Sequence, residues 1–343
     1  NVKMELVYVP YHFLQSVVTK LTGAAIIGLS AYFYINGSMS VLYAVGMSIA
    51  AFMLYGSLET MGTFSSLIHV VSVCVDKANV VLGLDTMDID GKELNPENHD
   101  IEVKNIEFSY DKRKIIDGIS LTIPEKTTTA IVGPSGGGKT TLCNLIARFW
   151  EVDSGEITLG GTNVKDYSMN SLMNNISFVF QNVYLFADTI ENNIKFGRPE
   201  ATHEEVVEAA KKACCHDFIS KLPDGYNTVI GEGGATLSGG EKQRISIARA
   251  IMKDSPIIIL DEATANVDPE NEKELTLAVD ALTKEKTIIM IAHRLKTVRH
   301  ADQIVVVDQG RIAQKGTHEE LMKQDGIYRR FVDSRELAVS WKI

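Results

Sequence analysis

The feature that most constrains the fold of this chain is a long stretch without charge near its N-terminus. Between Leu21 and Leu58 there is no Asp, Glu, Lys or Arg, whereas the rest of the 343 residues are richly charged. A helix needs about 20 mainly apolar residues to cross a bilayer, so this stretch is long enough for two. Turn-forming residues interrupt it once, at 36–40 (NGSMS). We therefore predict two membrane-spanning helices, at about 13–35 and 41–58, joined by a short external loop.

The alternative explanation for this stretch is a buried helical hairpin in a soluble protein. It is disfavoured because soluble helices of this length normally show a charged face. The second helix is predicted to continue beyond the membrane to residue 84. Lys3 and Lys20 precede the first span and Lys77 follows the second, which favours a cytosolic location for both outer ends. The predicted location is the plasma membrane, with a multi-pass membrane segment over residues 1–85.

The remainder of the chain has the pattern of a layered α/β domain. Residues 86–100 are acidic, contain Gly and Pro and lack periodicity, so we predict a linker there. Residues 101–108 and 115–123 alternate like strands. Continuous apolar runs, typical of strands buried on both faces, lie at 129–132, 176–180, 257–260, 287–291 and 304–307, with helical patterns at 172–175 and 201–219. We predict an α/β domain over 101–343 with an antiparallel β edge and a helical insertion.

Charge and cysteine content narrow the possible functions. The net charge of −10 argues against a nucleic-acid-binding surface, which is ordinarily basic. The four cysteines, Cys74, Cys143, Cys214 and Cys215, do not have the spacing of a metal site. The adjacent pair beside His216 leaves a metal site as an alternative, but ordinary thiols in a reducing cytosol are the preferred interpretation.

A glycine-rich loop at residues 133–141 (GPSGGGKTT) carries the clearest chemical signal. It follows an apolar strand and opens a helix, which is the context that the phosphate-loop pattern G-x-x-x-x-G-K-[ST] requires. Its glycines allow backbone N–H groups to surround phosphates, Lys139 reaches the β- and γ-phosphates, and the Thr140 hydroxyl completes the shell of a magnesium ion. We therefore predict ATP and Mg²⁺ as ligands. The predicted ATP-binding residues of the loop are Gly133, Pro134, Ser135, Gly136, Gly137, Gly138, Lys139, Thr140 and Thr141.

A second apolar strand, 257–260, ends in two carboxylates, Asp261 and Glu262. Asp261 suits a magnesium ion, directly or through water, and Glu262 can polarise an attacking water. A strand that ends in Asp-Glu is common and often marks only a solvated turn. Together with the phosphate loop, it indicates nucleotide hydrolysis.

The sequence LSGGE at 237–241 opens a further helix with a pair of glycines. Free N–H groups and the positive end of the helix dipole make such a helix start a potential anion site. Ser238 is also a good helix N-cap, and both roles can hold at once. One chain therefore carries two potential phosphate-binding segments.

These motifs occur in the order and rough spacing of ATP-binding cassette (ABC) transporters. The phosphate loop, LSGGE and ILDEAT at 259–264 carry the resemblance, which covers residues 101 to about 332 and implies an ABC ATPase of the P-loop NTPase class. The uncharged stretch resembles the last two membrane helices of an exporter-type half-transporter, whose membrane domain precedes its ATPase domain. Such half-transporters have six membrane helices, so the resemblance implies that this chain is truncated at its N-terminus.

The resemblance implies a role for each of the two phosphate-binding segments. In this family two ATPase domains dock head to tail, and each ATP lies between the phosphate loop of one chain and the signature, residues 237–241, of the other. Ser238 and Gly240 would donate to the partner's γ-phosphate. Asp268 would touch the partner's site, although it also fits the N-cap of the helix that follows it. The implied signature set is Leu237, Ser238, Gly239, Gly240, Glu241 and Asp268, with Glu241 standing where many exporters have Gln.

Other roles are implied in the same way. Tyr110 would stack on adenine, and Gln181 would sense the magnesium ion and the attacking water. His293 would contact the γ-phosphate and hold Glu262 and the water in line. The implied catalytic residues are Glu262, His293, Lys139 and Gln181, and the implied metal ligands are Thr140, Gln181 and Asp261.

The expected function is that of an ATP-hydrolysing subunit of an exporter-type ABC transporter. Its expected partners are a second half-transporter chain, identical or different, the lipid membrane and an unknown transported substrate, but no nucleic acid. A soluble ABC ATPase that acts on ribosomes or DNA is an alternative that the uncharged stretch disfavours. A non-catalytic ATP-binding regulator is another, and the presence of Glu262 and His293 disfavours it. The sequence is compatible with export and with import.

Overall fold

The chain forms two compact units, Asn1–Thr86 and Met87–Ile343. The computed structural model describes residues 2–84, 90–231, 237–261, 269–291 and 298–340.

The N-terminal unit is a pair of packed helices, α1 (Val2–Ile35) and α2 (Val41–Leu82). The helices meet through small side chains, and Ser30 and Ala51 are buried there, only 4% and 3% exposed. Large apolar side chains lie on the outside of the pair: Phe13, Leu42 and Phe52 are more than two thirds exposed, at 71%, 77% and 71%. A contiguous apolar exterior of this kind indicates an apolar partner or a membrane.

One segment of this unit, Phe13–Ile35, is long and apolar enough to cross a membrane by length and composition. The apolar part of α2, Val41–Ser57, is shorter than that. Several hydroxyl side chains on the two helices donate to the carbonyl four residues earlier, namely Thr19, Thr22, Ser48, Ser57 and Thr60. These bonds satisfy polar groups inside the helix, which reduces the cost of placing them in an apolar solvent.

The C-terminal unit contains an antiparallel sheet and a larger mixed sheet. The antiparallel sheet has the order β2-β1-β4-β5 and consists of β1 (Ile101–Tyr110), β2 (Arg113–Ile123), β4 (Ser154–Leu159) and β5 (Thr162–Asn163). Apolar residues that alternate along β1 and β2 face the core, as the period-2 pattern predicts.

The mixed sheet has the order β12-β11-β3-β10-β9-β6. It consists of β3 (Thr128–Val132), β6 (Ile176–Val179), β9 (Ile257–Asp261), β10 (Thr287–Ile291), β11 (Gln303–Asp308) and β12 (Arg311–Gly316). The first five of these strands pair in parallel and correspond to the continuous apolar runs of the sequence. The sequence pattern did not indicate β12, which pairs antiparallel at the edge and alternates between exposed and half-buried residues.

Helices pack against this sheet and share an apolar core with it. The helices of the C-terminal unit are α3 (Lys139–Ile146), α4 (Met169–Asn175), α5 (Ile190–Lys195), α6 (His203–Lys212), α7 (His216–Ile219), α8 (Gly239–Lys253), α9 (Pro269–Thr283), α10 (His318–Met322) and α11 (Ile327–Ser340). A short strand pair, β7 (Asp188–Thr189) and β8 (Val229–Ile230), accompanies α5. The helical pattern predicted at 201–219 is split between α6 and α7, because Cys214 adopts a left-handed backbone conformation with φ 53°.

From residue 90 onward, the segment predicted as a linker packs as part of the C-terminal unit. The Lys92 amide donates to the carbonyl of Asp166 at 2.8 Å, and the Ser168 amide donates to the carbonyl of Lys92 at 2.7 Å. Gly91 permits this approach, since a Cβ there would lie 2.1 Å from the carbonyl oxygen of Tyr167. These contacts are made by backbone groups, which composition does not reveal.

The topology brings several strand ends to one edge of the mixed sheet. Because β3, β6, β9 and β10 run in parallel, the segments that follow them start from the same edge. In open α/β sheets, ligands bind at this carboxyl edge. Several residues predicted to bind the nucleotide and its magnesium ion lie here, after β3, after β6 and at the end of β9.

Candidate functional site

The phosphate loop, residues 133–138, connects β3 to α3 in a conformation that side chains would prevent. Gly133 has φ 142°, and a Cβ there would lie 2.0 Å from the carbonyl oxygen of Val307 on the neighbouring β11. Gly138 is the N-cap of α3 with φ 105°, and a Cβ there would approach Ile116 to 3.0 Å. Within the described chain, no side chain caps the start of α3. Among the described residues, no side chain therefore competes with an external anion at this helix start.

The Lys139 ammonium lies against this loop. The side chain is only 8% exposed, and its Nζ donates to the carbonyl oxygens of Gly133 at 3.1 Å and Pro134 at 2.8 Å. A positive charge is thus held at the rim of the uncapped helix start. The helix dipole and the ammonium both favour a polyanion at this position.

Asp261 is the last residue of β9, at the same edge of the mixed sheet from which the phosphate loop leaves β3. The residue is buried, 7% exposed, and its backbone pairs in register with Ile291 at the end of β10. Burial raises the pKa of the Cys143 thiol, and the negative charge of Asp261 raises it further. Thr140 is exposed in the first turn of α3, whereas Cys143, in the next turn, is fully buried. The Thr140 hydroxyl and the Asp261 carboxylate are both oxygen donors of the type that Mg²⁺ prefers.

Gln181 is exposed and follows β6 at the carboxyl edge of the sheet. The segment that bears it is linked to α8 by Gln243, whose Nε2 donates to the carbonyl oxygen of Phe180 at 3.5 Å. Gln243 is 5% exposed. The sequence analysis did not single out this residue, because an isolated Gln on a helix carries no motif.

Tyr110 ends β1 within a cluster of three aromatic rings. Its ring lies 4.8 Å from that of Phe108 and 5.3 Å from that of Trp150, and it is nearly perpendicular to both, at 87°. Tyr110 is half-buried and Trp150 is 50% exposed. The sequence analysis did not identify Trp150, since 40 residues of chain separate it from Tyr110.

The signature, residues 237–241, forms the start of α8 through a reciprocal cap. The Ser238 hydroxyl accepts from the Glu241 amide at 3.3 Å, and the Glu241 carboxylate accepts from the Ser238 amide at 2.8 Å. Ser238 and Gly239 are exposed, Gly240 is buried, and Leu237 packs against the core. The Ser238 hydroxyl accepts in this arrangement, so its own proton is available for donation to another group.

Comparisons with known proteins agree with these motifs. Residues 116–265 match the family model described as ABC transporter. The chain is 42% identical over 325 residues to the ATP-dependent lipid A-core flippase of Desulfotalea psychrophila, covering 93% of this chain and 57% of the relative. It is 39% identical over 325 residues to a putative multidrug export ATP-binding/permease protein of Bacillus subtilis, covering 93% and 56%. A solved structure of a bacterial Atm1-family ABC exporter with ATP bound matches with a TM-score of 0.73 and 34% identity, over 97% of this chain and 59% of that one.

The chain contains an ABC transporter domain, residues 116–265. Its C-terminal unit carries the ABC ATPase domain, as the sequence motifs predict, and its fold is that of a P-loop NTPase with mixed sheets and helices. The chain spans about half the length of the curated relatives that it matches, 57% and 56% in the two above.

Three of the residues implied by the resemblance to ABC transporters lie outside the described part of the chain. Glu262 directly follows Asp261, and His293 follows the end of β10 at Ile291. Asp268 directly precedes Pro269, the first residue of α9. Their roles in the ABC domain remain predictions from the sequence.

The described residues of the ABC domain fit ATP with a magnesium ion. An uncapped helix start with a buried lysine beside it suits a triphosphate, and the Thr140 hydroxyl and Asp261 carboxylate suit the cation. No group of three or more His, Cys, Asp or Glu side chains that could hold a metal by themselves occurs among the described residues, Cys214 and Cys215 included.

Proposed function

We propose that this chain is the ATP-hydrolysing part of an exporter-type ABC transporter. The observation that carries the proposal is the convergence of an uncapped helix start, the Lys139 ammonium and the Asp261 carboxylate at one edge of the mixed sheet. The matches to a flippase, a multidrug export protein and an ABC exporter support coupling to transport across a membrane.

The proposed reaction is transfer of the γ-phosphoryl group of ATP to water. Glu262 orients the water and accepts its proton as the oxygen attacks phosphorus, and the bond to the β–γ bridging oxygen breaks to leave ADP. Lys139 and the N–H groups at the start of α3 stabilise the negative charge on the phosphoryl oxygens. Thr140, Gln181 and Asp261 would hold Mg²⁺, which neutralises phosphate charge when bound. His293 holds the γ-phosphate and Glu262 in line, and Tyr110 stacks on adenine.

The proposed catalytic unit contains two ABC domains. Each α3 start provides most of one triphosphate site, and the signature of the other chain completes it with the Ser238 hydroxyl and the Gly240 amide. The exposed position of Ser238 supports this arrangement, because its hydroxyl proton can reach a group outside the chain. Asp268 would contact the partner's site. The partner is a second half-transporter chain, identical to this one or different, and a two-fold axis relates the pair when they are identical.

The N-terminal unit is proposed to be part of a multi-pass segment in the plasma membrane, with the ABC domain in the cytosol. The apolar exterior of α1 and α2 supports this, as do the hydroxyl groups bonded within each helix. α1 contains one full-length candidate span, and the second span is proposed to begin near Val41 in α2. Retention of the full chain in membranes washed with sodium carbonate tests this location. Release into the wash would instead favour a soluble ABC ATPase.

The test of catalysis is the Glu262→Gln variant of the full chain in lipid nanodiscs. It is expected to bind ATP, to trap a two-domain complex and to lose phosphate release by about a hundredfold or more. The control is Glu285→Gln, which removes a carboxylate from the turn between α9 and β10 and is expected to release phosphate at the unaltered rate. Unchanged phosphate release by Glu262→Gln would remove Glu262 from the mechanism. A non-catalytic regulator would release no phosphate in Glu262→Gln or in Glu285→Gln.

A further inference from the structure

The aromatic cluster formed by Phe108, Tyr110 and Trp150 suggests a determinant of nucleotide affinity beyond the proposed contacts. We propose that Trp150 is a positioning residue that holds the Tyr110 ring in the orientation that stacks on the base of the nucleotide. This inference rests on the proposed function, in which Tyr110 contacts adenine.

The geometry of the cluster restrains the Tyr110 ring from two sides. Phe108 and Trp150 both lie perpendicular to Tyr110, at centroid distances of 4.8 and 5.3 Å. They also contact each other, with centroids 6.2 Å apart and planes tilted by 51°. Perpendicular aromatic pairs at these separations are attractive beyond their burial. Rotation of the Tyr110 ring would break two such contacts at once.

The two aromatic neighbours of Tyr110 differ in burial. Phe108 is 4% exposed and belongs to the core beneath β1, so its removal would disturb the fold. Trp150 is 50% exposed and lies after α3, the helix whose N-terminus forms the phosphate site. Trp150 contacts both of the other rings of the cluster, and its removal is expected to disturb the core less than removal of Phe108. The same short segment of chain thus links the phosphate site to the base site.

The experiment measures the KM for ATP in the full chain in nanodiscs, for Trp150→Ala, Trp150→Phe and Tyr110→Ala. Loss of the perpendicular contact is expected to raise KM for Trp150→Ala by about threefold to tenfold with little change in kcat. Trp150→Phe retains an aromatic ring and is expected to restore most of the affinity. Val229→Ala, which removes an exposed apolar side chain on β8, serves as the control and should leave KM unchanged.

Inorganic triphosphate separates positioning from general damage to the site. It has no base, so its inhibition constant is expected to be the same in Trp150→Ala and the unaltered chain. A weaker inhibition constant in Trp150→Ala would mean that the substitution disturbs the phosphate loop, and would overturn the proposal.

The double variant Tyr110→Ala/Trp150→Ala tests whether Trp150 acts through Tyr110. If it does, KM for the double variant equals that for Tyr110→Ala alone, because the positioned group is already absent. If the rise in KM of the double variant is instead the product of the two single rises, Trp150 contacts the base directly, and the positioning role is overturned. A raised KM in Tyr110→Ala but not in Trp150→Ala would also overturn it while leaving the proposed function intact. An unchanged KM in Tyr110→Ala would instead remove Tyr110 from the proposed function.

Discussion

Two helices of the ABC domain begin with glycines beside a proposed phosphate, but their first turns differ. At α3 no side chain caps the helix within the described residues, and the neighbouring cation is the buried Lys139. At α8 the chain caps itself, since the Ser238 amide is bonded to the Glu241 carboxylate. Among the described residues, no side chain competes with an anion at the first turn of α3, whereas the reciprocal cap at α8 occupies the Ser238 and Glu241 amides. This difference supports the proposal that α3 binds the nucleotide and that α8 completes the site.

The largest expected effect comes from the charge at the first helix. Lys139→Ala is expected to lower ATP turnover by about a hundredfold to a thousandfold, because it removes the cation next to the phosphates. The measurement is phosphate release by the full chain in nanodiscs. Lys315→Ala, on the exposed edge strand β12, is the matched control and is expected to retain normal turnover. A small loss of turnover in Lys139→Ala would mean that the N–H groups at the start of α3 bind the phosphates without the Lys139 ammonium.

The glycines of the two helix starts are expected to differ in their tolerance of a side chain. Gly133→Ala is expected to destabilise the chain by about 2 kcal/mol or more, since its Cβ would collide with the Val307 carbonyl, 2.0 Å away. The midpoint of thermal unfolding should fall by about 4 °C or more. Gly239→Ala is the control, because its Cβ would meet no atom within 4 Å. Equal losses of thermal stability in Gly133→Ala and Gly239→Ala would contradict the expected difference between the phosphate loop and the signature.

The hydroxyl of the second helix start is expected to matter for turnover and, separately, for helix stability. Ser238→Ala should lower turnover by about tenfold if the hydroxyl donates to a phosphate. It should also cost about 1 kcal/mol of helix capping. Ser238→Asn restores a capping oxygen, so it should recover thermal stability but not the turnover. Recovery of both would show that Ser238 acts only as a cap.

The smallest expected effect concerns the charge of the cap. Glu241→Gln keeps an oxygen for the Ser238 amide but removes a negative charge near the partner's phosphates. In the Glu262→Gln background, the ATP concentration required to trap the two-domain complex should fall by about threefold, with unchanged thermal stability. Glu241→Ala removes both the charge and the bond, and is expected to be less stable. A higher ATP requirement in Glu241→Gln would show that the carboxylate contributes to nucleotide binding.

Much of the ABC domain could be predicted from local sequence patterns. Strands such as β3 and β10 are continuous apolar runs, and the phosphate loop, the signature and Asp261 belong to motifs with fixed spacing. These features depend on residues close together in the chain. The family assignment follows from them and is confirmed by the match over residues 116–265.

Features that depend on distant contacts could not be predicted in this way. β12 alternates in exposure at a sheet edge, so it lacks an apolar run, and the pairing of Lys92 beside Tyr167 uses only backbone groups. The contact between Trp150 and Tyr110 joins the end of β1 to the segment after α3, and neither residue forms a pattern with the other in sequence.

The turn between β11 and β12 supports the phosphate loop through backbone hydrogen bonds. The Gly310 amide donates to the carbonyl of Gly137 at 3.0 Å, and the Gly310 carbonyl accepts from the Asp117 amide at 2.9 Å. The turn at Gly310 therefore supports the loop, and the segment at Asp117 supports the turn. Neither segment belongs to a nucleotide-binding motif. Because these hydrogen bonds restrain the loop, we expect less ordering entropy to be lost when ATP binds. Substitutions in this hairpin would therefore weaken nucleotide affinity without touching the nucleotide.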